Sequence, residues 1–413
     1  MNKMELEKFA RVLLCVGVNL QKGESVLLQA DTYSLPLARE MTRQAFDMGA
    51  RDVQVSIDDP YVNQEITRGA SLEVLRKAKE WELESIDSIL RDGTGVQIGI
   101  RSTVPLDNSG IPNEKLLAFA AMKNDLRNVV RAYLNRGVLK WTGTAYPSRE
   151  WAMKVYPELP EEEAYRKLEL DILRMMRVDE ESDPVDNWKK HCEELSERSA
   201  KLNGFDLKSL HITSELGTDI TMNLVEGHIW TSAGEMGGQR VNAPYVANMP
   251  TEEVFTDPDF RSVNGIAYAS FPLMMSGQLV EDFWIRFENG KAVDCGAGKN
   301  VEFLRDALFR DETTRQLGEV ALVSKRSPIR QTGRVFYNGL IDENAACHLA
   351  FGSSFPDCVK GGVDMSKEEL MTLGVNFSVS HNDFMIGSDE TKIVGIDHDG
   401  KEILIMEHGD FVI

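Results

Sequence analysis

The stretch QKGESVLLQADTYSLPLAREMTRQAFDMGARDVQVSI, residues 21–57, determines the fold class of the first part of the chain. It contains the apolar run SVLLQA (Ser25–Ala30), a helix-periodic segment near Leu35–Met48 and a second apolar run, DVQVSI (Asp52–Ile57). Gly49 follows the helical segment, where a glycine commonly ends a helix. A strand, a helix and a strand in this order predict two parallel strands joined by a crossover helix.

The same alternation continues on both sides of this stretch. Residues near Glu5–Asn19 are patterned as an amphipathic helix, and VQIGIRS, beginning at Val96, predicts a third strand. The glycines of GTGVQIG (Gly93–Gly99) precede a strand instead of joining a strand to a helix, which excludes a dinucleotide-binding loop. Residues from about 113 to 203 are mostly helix-periodic. We therefore predict an N-terminal α/β domain with a parallel sheet and a helical extension, residues 1–203.

The pattern of apolar and polar residues changes at about Gly204. Short strand-like runs such as SLHITSE and LVEDFWIRF follow, separated by turns such as FENGKAVD. Two helices interrupt them, near Val301–Ala307 and Lys367–Leu373. We predict a C-terminal β-rich α+β domain, residues 204–413, so the fold class of the whole chain is α/β and α+β.

Composition narrows the classes of function. The chain has 413 residues and a net charge of −20 without a large cluster of Lys and Arg, which argues against nucleic-acid binding. It has no run of about 18 apolar residues that could span a membrane, and Glu5 and Glu7 argue against a signal or transit peptide. Its five widely spaced cysteines indicate reduced thiols. We predict a cytoplasmic protein, with an acidic excess that suits cations or basic ligands.

Four stretches of the second half place acids or histidines at breaks in apolar patterns, while HExxH and GxSxG motifs are absent from the sequence. In VNFSVSHNDFMIGSDE (Val375–Glu390), alternate residues put His381 and Asp383 on the strand face that begins with Val375. Either the strand leaves the core there or a cation meets the two side chains. In NMPTEEVFTDPDF, Glu253 falls on the side of Phe255, or else belongs to a polar turn.

The other two stretches add three side chains. Glu319 begins the apolar strand of RQLGEVALV, where a solvated glutamate is the alternative. IDENAACHLAFG is patterned as a helix start with Asp342 as N-cap. Glu343 and His348 would lie about 140° apart on a regular helix, so they share a site only if Glu343 lies in an irregular entry. Together the four stretches supply four carboxylates and two histidines, which suits two divalent ions.

In this order, the four stretches resemble the dinuclear metalloaminopeptidase family of aminopeptidase T, aminopeptidase S and PepS. The resemblance extends over nearly the whole chain, including GTDITMNL, HIWTSAGE and the C-terminal HGDFVI. It implies a homodimer whose enclosed site admits peptides with a free N-terminus, and activation by two divalent ions (zinc, cobalt, manganese or magnesium). It implies metal ligands at Glu253, Glu319, Glu343, His348, His381 and Asp383.

One position departs from that family. The family carries a functional tyrosine seven residues after the histidine of the DEN motif, where this chain has Phe355. Loss of an oxyanion donor would lower kcat on the order of 10²–10³-fold. Three alternatives follow: Tyr337, Ser353 or Ser354 replaces the hydroxyl, the enzyme is slow or has another substrate, or the chain is a metal-binding relic without peptidase activity.

The resemblance also suggests a mechanism. Two ions would activate a shared water and polarise the scissile carbonyl. The free α-amine of the peptide would bind an ion or a carboxylate, which limits cleavage to the first residue. Glu252 is the candidate for proton transfer, with a solvent-facing neighbour as the alternative reading. A module that binds peptide or metal without turnover, and an amidase of small acyl-amides, are the competing functions.

Overall fold

The computed structural model describes residues 1–134, 136–233, 243–275 and 278–413. The chain forms two compact units. Unit 1 comprises residues 1–190 and 234–249, and unit 2 comprises residues 191–233 and 250–413. The domain boundary predicted between residues 203 and 204 stays a prediction. Among the helices of the described ranges, none combines the length and the apolar character that a membrane span requires.

The helices of the described residues include those predicted near residues 35–48, 301–307 and 367–373. The first predicted helix is shorter than its pattern, because a π-helical turn, Leu13–Gly17, follows it. The α-helices are α1 (Lys3–Val12), α2 (Leu35–Asp47), α3 (Pro60–Gly69), α4 (Leu72–Leu75), α5 (Glu80–Leu90), α6 (Asn113–Leu134), α7 (Arg149–Val155), α8 (Glu161–Met175), α9 (Pro184–Gly204), α10 (Val301–Leu308), α11 (Gly339–Asp342) and α12 (Lys367–Leu373).

The strands of the described residues are two to seven residues long. They are β1 (Ser25–Asp31), β2 (Asp52–Asp58), β3 (Gly95–Arg101), β4 (Lys140–Ala145), β5 (Leu207–Thr213), β6 (Asp219–Asn223), β7 (Thr231–Ser232), β8 (Asn248–Met249), β9 (Glu253–Thr256), β10 (Asn264–Tyr268), β11 (Leu273–Met275), β12 (Gln278–Val280), β13 (Trp284–Glu288), β14 (Lys291–Gly296), β15 (Leu317–Val323), β16 (His348–Gly352), β17 (His381–Met385), β18 (Lys392–Asp397), β19 (Glu402–Glu407) and β20 (Asp410–Phe411).

Unit 1 contains the parallel sheet that the β–α–β pattern predicts. Its five strands are ordered β2-β1-β3-β4-β8, and every pairing is parallel. Leu27 of β1 and Ile98 of β3 are fully buried, as expected for central strands covered by helices on both faces. The prediction of an N-terminal α/β region with a parallel sheet is confirmed.

Unit 2 is β-rich and antiparallel, as predicted. An eight-stranded sheet has the order β14-β13-β10-β6-β5-β18-β19-β20, and a five-stranded sheet has the order β17-β16-β15-β9-β7. Strands β11 and β12 form a separate hairpin-like pair. The five-stranded sheet carries most of the candidate site residues, so its register decides which of them meet.

The predicted helix from Asp342 onward is wrong. Helix α11 ends at Asp342, a 3₁₀ turn covers Glu343–Ala345, and His348 begins strand β16. Strand β16 lies between β15 and β17, and all five of its residues are buried, so tertiary pairing overrides the local helical pattern. The carboxylate of Asp342 instead accepts hydrogen bonds from the backbone N–H groups of Phe336 and Asn338, at 2.7 and 2.9 Å.

The strand predicted to run continuously from Val375 is also wrong. Strand β17 begins at His381, and the residues before it form a loop. Val375 is buried while Val379 is 81% exposed, so these two do not share a core face. The spacing of His381 and Asp383 on one strand is as predicted.

Candidate metal centre

Four neighbouring strands of the five-stranded sheet deliver five of the predicted site residues. Glu253 opens β9, Glu319 lies on β15, His348 opens β16, and β17 carries both His381 and Asp383. The structure therefore brings together residues that lie up to about 130 positions apart in the sequence.

The register of the sheet puts all five on the same face. Ala350 lies directly opposite both Glu319 and Asp383, and Ala321 lies opposite His348. Val323, two residues after Ala321, lies opposite Glu253. Directly paired residues and alternate residues of one strand share a face, so all five candidate ligands lie on one face of the sheet.

The opposite face of these strands is mostly apolar and packs in the core. Its large apolar side chains are fully buried: Val254, Val320, Leu322, Leu349, Phe351 and Phe384. On the polar face the central positions are the small Ala321 and Ala350, which leave room between the acidic side chains. The alternation explains how a sheet can bury its back and still present carboxylates on its front.

The ligand atoms fall into two groups that share Glu319. Glu253, Glu319 and His348 form one group, and Glu319, His381 and Asp383 form the other, with the atoms of each group within 4.8 Å of one another. The Nε2 atom of His348 lies 3.2 Å from Glu253 Oε2. The Nε2 atom of His381 lies 3.0 Å from Glu319 Oε2 and 3.1 Å from Asp383 Oδ1.

Both imidazoles are oriented by a backbone carbonyl. His348 Nδ1 lies 3.2 Å from the carbonyl oxygen of Ala346, and His381 Nδ1 lies 2.7 Å from that of Ser353. If Nδ1 carries the proton and donates it to the carbonyl, the lone pair of Nε2 faces the carboxylates. This is the usual arrangement of a histidine that binds a metal ion.

Burial and mutual charge shift the titration of these groups strongly. Burial raises the pKa of Glu319 to about 7. Burial opposes the charge on His348, but the carboxylates around it, Glu253 first, raise its pKa to about 10. Burial also opposes the charge on Asp383, yet the neighbouring His381 holds the pKa of that carboxyl at about 2. In the two groups, the two imidazoles are the side chains that can carry a positive charge opposite the three carboxylates.

The donor set fits divalent metal ions. Oε2 of Glu253 is buried and has no hydrogen-bond partner among the described residues, although the His348 nitrogen is close to it. A buried carboxylate oxygen left this way is costly unless a cation binds it. Carboxylate oxygens together with imidazole nitrogens suit zinc, cobalt or manganese.

Glu343 lies beside the two groups. It belongs to neither of them, because each group is limited to ligand atoms that all lie within 4.8 Å of one another. It sits in the irregular 3₁₀ turn, so the angle expected on a regular helix does not apply. The side-chain amide of Asn344 donates to Glu343 Oε1 at 3.4 Å. Burial, followed by the charges of Asp383 and Glu253, raises the pKa of Glu343.

Glu252 is not the solvent-facing neighbour that was the alternative reading. It is only 7% exposed, and its Oε2 lies 3.6 Å from Nε2 of His191. Its backbone N–H donates to Oδ1 of Asn344 at 2.7 Å. A part in proton transfer stays a prediction.

Phe355 borders the second group. Its ring centroid lies 4.9 Å from that of His381 and 5.7 Å from that of Phe255, the latter edge to face. Among the hydroxyls considered as replacements, Ser354 Oγ accepts from the backbone N–H of Asn376 at 3.0 Å. Ser353 Oγ donates to the carbonyl of Ser354 at 3.3 Å, so both serine hydroxyls are engaged by the backbone.

Two polar residues of this region were missed from the sequence. Asp257 is fully buried, and burial raises its pKa well above the usual range. Asn344 is fully buried and hydrogen-bonds to both Glu252 and Glu343. Asp257 stands before a proline, like many turn residues. The one available signal for Asn344 was its position next to Glu343.

Comparisons with known proteins give the family of the chain. The family model described as thermophilic metalloprotease (M29) matches residues 2–411. Aminopeptidase PepS of Streptococcus thermophilus is 36% identical over 412 residues, covering 100% of this chain and 98% of the relative. Aminopeptidase T of Thermus thermophilus is 37% identical over 415 residues, covering 100% of this chain and 99% of the relative.

A solved structure is similar over the full length. Wild-type AmpT from Thermus thermophilus superposes with a TM-score of 0.89 at 35% sequence identity, and the match covers 100% of both chains. The similarity therefore includes both units and the five-stranded sheet that carries the candidate ligands.

Proposed function

This chain belongs to the thermophilic metalloprotease family M29, and on that premise we propose that it is a metal-dependent aminopeptidase that removes the N-terminal residue from peptides. The observation that carries the proposal is the pair of carboxylate–histidine groups on one sheet face, joined through Glu319. Two groups sharing a carboxylate are the arrangement expected for two neighbouring divalent ions.

The ligands divide between the two positions. Glu253, Glu319 and His348 would hold one ion, and Glu319, His381 and Asp383 the other. Bound zinc, cobalt, manganese or magnesium would lower the pKa of a water molecule and polarise the scissile carbonyl. Glu343 is the sixth proposed ligand, supported by the interaction of its charge with Asp383 and Glu253.

The chain's own acidic groups would recognise the substrate's N-terminus. A peptide with a free α-amine brings an ammonium group to a face rich in carboxylates, where charge-assisted hydrogen bonds hold it. A peptide whose amine is blocked lacks that charge, so exopeptidase action follows from the same side chains. Glu252 is proposed to exchange the proton, supported by its burial and by the nearby imidazole of His191.

The second candidate is a weakened or inactive homologue that binds metal or peptide. It is favoured by Phe355, whose ring lies against His381 and which lacks the hydroxyl of the family tyrosine. The two candidates share the metal ligands and differ only in turnover.

A homodimer in the cytoplasm completes the proposal. Apolar side chains exposed on β2 and α3 of unit 1 offer a surface for a second copy: Val55, Ile57, Tyr61, Val62 and Ile66. No disulfide joins any of the five cysteines, all of which lie in the described residues, and this suits a reducing compartment.

The deciding experiment strips the protein with a chelator and reloads it with zinc, cobalt or manganese. Release of the first residue is then measured from a panel of aminoacyl substrates and from the same peptides with an acetylated amine. Metal-dependent release from free but not blocked peptides supports the aminopeptidase. Bound metal without release from any substrate supports the inactive homologue, and release from small acyl-amides alone contradicts both.

A further inference from the structure

Asp257 is a buried acid next to the candidate metal centre that the proposed chemistry leaves unused. It directly follows strand β9 and is 0% exposed. Its Oδ1 accepts a hydrogen bond from the backbone N–H of Phe355 at 3.2 Å, while its Oδ2 is buried and has no hydrogen-bond partner among the described residues. An acid in this state lowers stability, so its place here suggests another role.

Asp257 accepts its hydrogen bond from the last residue of the segment Ser353–Phe355. This segment contacts one side of the His381 imidazole. The carbonyl oxygen of Ser353 accepts from His381 Nδ1 at 2.7 Å. The ring of Phe355 lies 4.9 Å from the imidazole, tilted by 57°. Ser353 and Phe355 thus supply the hydrogen bond and the ring packing that orient this histidine.

Each residue of the segment has its own anchor. The N–H of Ser353 donates to the carbonyl of Ser380, and that of Ser354 to the carbonyl of Asn376, both at 2.8 Å. The N–H of Phe355 donates to Asp257. Asp257 is therefore the side chain that secures the end of the segment bearing the aromatic ring.

We propose that Asp257 is a positioning residue that fixes the segment Ser353–Phe355 and, through it, the orientation in which His381 presents Nε2 to Glu319 and Asp383. The inference rests on the proposed function, because it takes His381 as a metal ligand. Asp257 acts through Phe355, and the atom it needs for this is the acceptor Oδ1. Asparagine has the same shape and an acceptor oxygen. It should therefore position the segment Ser353–Phe355 nearly as well as Asp257 does.

The test compares three substitutions in the full-length protein. Asp257→Leu fills a similar volume without an acceptor, Asp257→Ala repeats the loss without added bulk, and Asp257→Asn keeps the acceptor. Thr218→Ala is the matched control, because it removes a buried side-chain acceptor of a backbone N–H, that of Tyr268, in the eight-stranded sheet. The readouts are the affinities for zinc, by titration without substrate, and the ring nitrogen NMR signals of His381 in the metal-free protein.

We expect Asp257→Leu and Asp257→Ala to weaken the binding of one zinc ion by about 10- to 100-fold, the scale for residues that orient a ligand. The His381 signals should shift or broaden in both, and Asp257→Asn should restore most of the affinity and the original signals. Thr218→Ala should lower thermal stability and leave zinc affinity unchanged.

Two results would overturn the inference. One is unchanged zinc affinity and unchanged His381 signals in a folded Asp257→Leu or Asp257→Ala protein. The other is an Asp257→Asn protein as impaired as Asp257→Leu. If Asp257→Leu and Asp257→Ala both fail to fold, Asp257→Asn is compared with the wild type. Loss of one zinc ion in Asp257→Asn contradicts the acceptor role of Asp257. Failure of the proposed metal centre looks different, because the wild-type protein itself would then bind no zinc, and failure of turnover alone would leave zinc binding by the wild type intact.

Discussion

The ring of Phe355 lies 4.9 Å from the imidazole of His381, on the border of one of the two carboxylate–histidine groups. Position 355, where the resemblance predicts a tyrosine, therefore borders the candidate metal centre. A change of side chain there changes what contacts His381, while the packing with Phe255 can remain.

Phe355→Tyr should raise kcat. A phenol at this position adds a donor beside His381, and one oxyanion donor contributes on the order of 10²–10³ in kcat. Turnover of the zinc- or cobalt-loaded protein is measured with an aminoacyl substrate, and Phe355→Leu serves as the control for loss of the ring. An unchanged kcat in Phe355→Tyr, with wild-type activity already high, would show that another group supplies the donor.

Single histidine substitutions should each remove one ion. His348 and His381 belong to different groups, so His348→Gln and His381→Gln should each reduce the bound metal from two ions per chain to one. Glu319 is common to both groups, and Glu319→Gln should weaken both positions. Metal content is measured by elemental analysis after dialysis, with the exposed His408→Gln as control. Two ions retained in His381→Gln would contradict the ligand assignment.

Metal binding should release protons. In the metal-free protein, burial lowers the pKa of His348 and of His381, but the surrounding carboxylates raise both by more. The pKa of His348 is raised to about 10, and that of His381 is also raised. A metal ion binds only the neutral imidazole, so below about pH 10 it must displace the proton of His348, and affinity should rise with pH over that range. Calorimetric titrations at about pH 7 in buffers of different ionisation enthalpy measure the release. A heat independent of buffer would contradict it.

Asn344→Asp should weaken metal binding and destabilise the protein. The Asn344 amide donates to Glu343 Oε1 and to the carbonyl of Leu340, at 3.4 and 3.1 Å. A carboxylate in its place keeps the acceptor for Glu252 N–H but repels Glu343, and it loses buried hydrogen bonds worth about 1–3 kcal/mol. Chemical denaturation of the metal-free protein and zinc titration test the two effects. Wild-type values in both would mean that Asn344 does not hold Glu343.

Gly318→Ala should destabilise unit 2 near the site. A Cβ atom at this position would lie 2.3 Å from the carbonyl oxygen of Ser353 and 2.5 Å from that of Gly352, so β15 and the segment after β16 would have to separate. Such overpacking typically costs about 1–3 kcal/mol. Gly339→Ala is the matched control, because its Cβ would meet no atom within 4 Å. Equal thermal stability of the two variants would contradict the close approach.

Local sequence patterns predicted helices and strands correctly in several places. They failed where pairing with strands distant in the sequence determines the conformation. The stretch at residues 21–57 specified its own strand, helix and strand, and the two-residue spacing of His381 and Asp383 correctly gave one face. The strand at His348 was missed because its short apolar residues also fit a helix, and only its pairing with β15 and β17 selects the extended form.

The meeting of side chains was harder to predict than the elements. Glu253 reaches His348 only through the register of β9, β15 and β16, which no local spacing encodes. Asp257 was missed for another reason: an acid before a proline has the local signature of a solvated turn, and its burial is a property of the folded sheet.

The parallel sheet of unit 1 has a consequence for how the chain is made. Its last strand, β8, is synthesised long after β4, with which it pairs, and only after α9 and the first strands of unit 2 have left the ribosome. Until then β4 presents an unpaired edge, which is a template for wrong pairing. Nascent chains stalled before Asn248 should therefore bind chaperones or aggregate more readily than chains stalled far enough beyond Met249 for β8 to have left the ribosome.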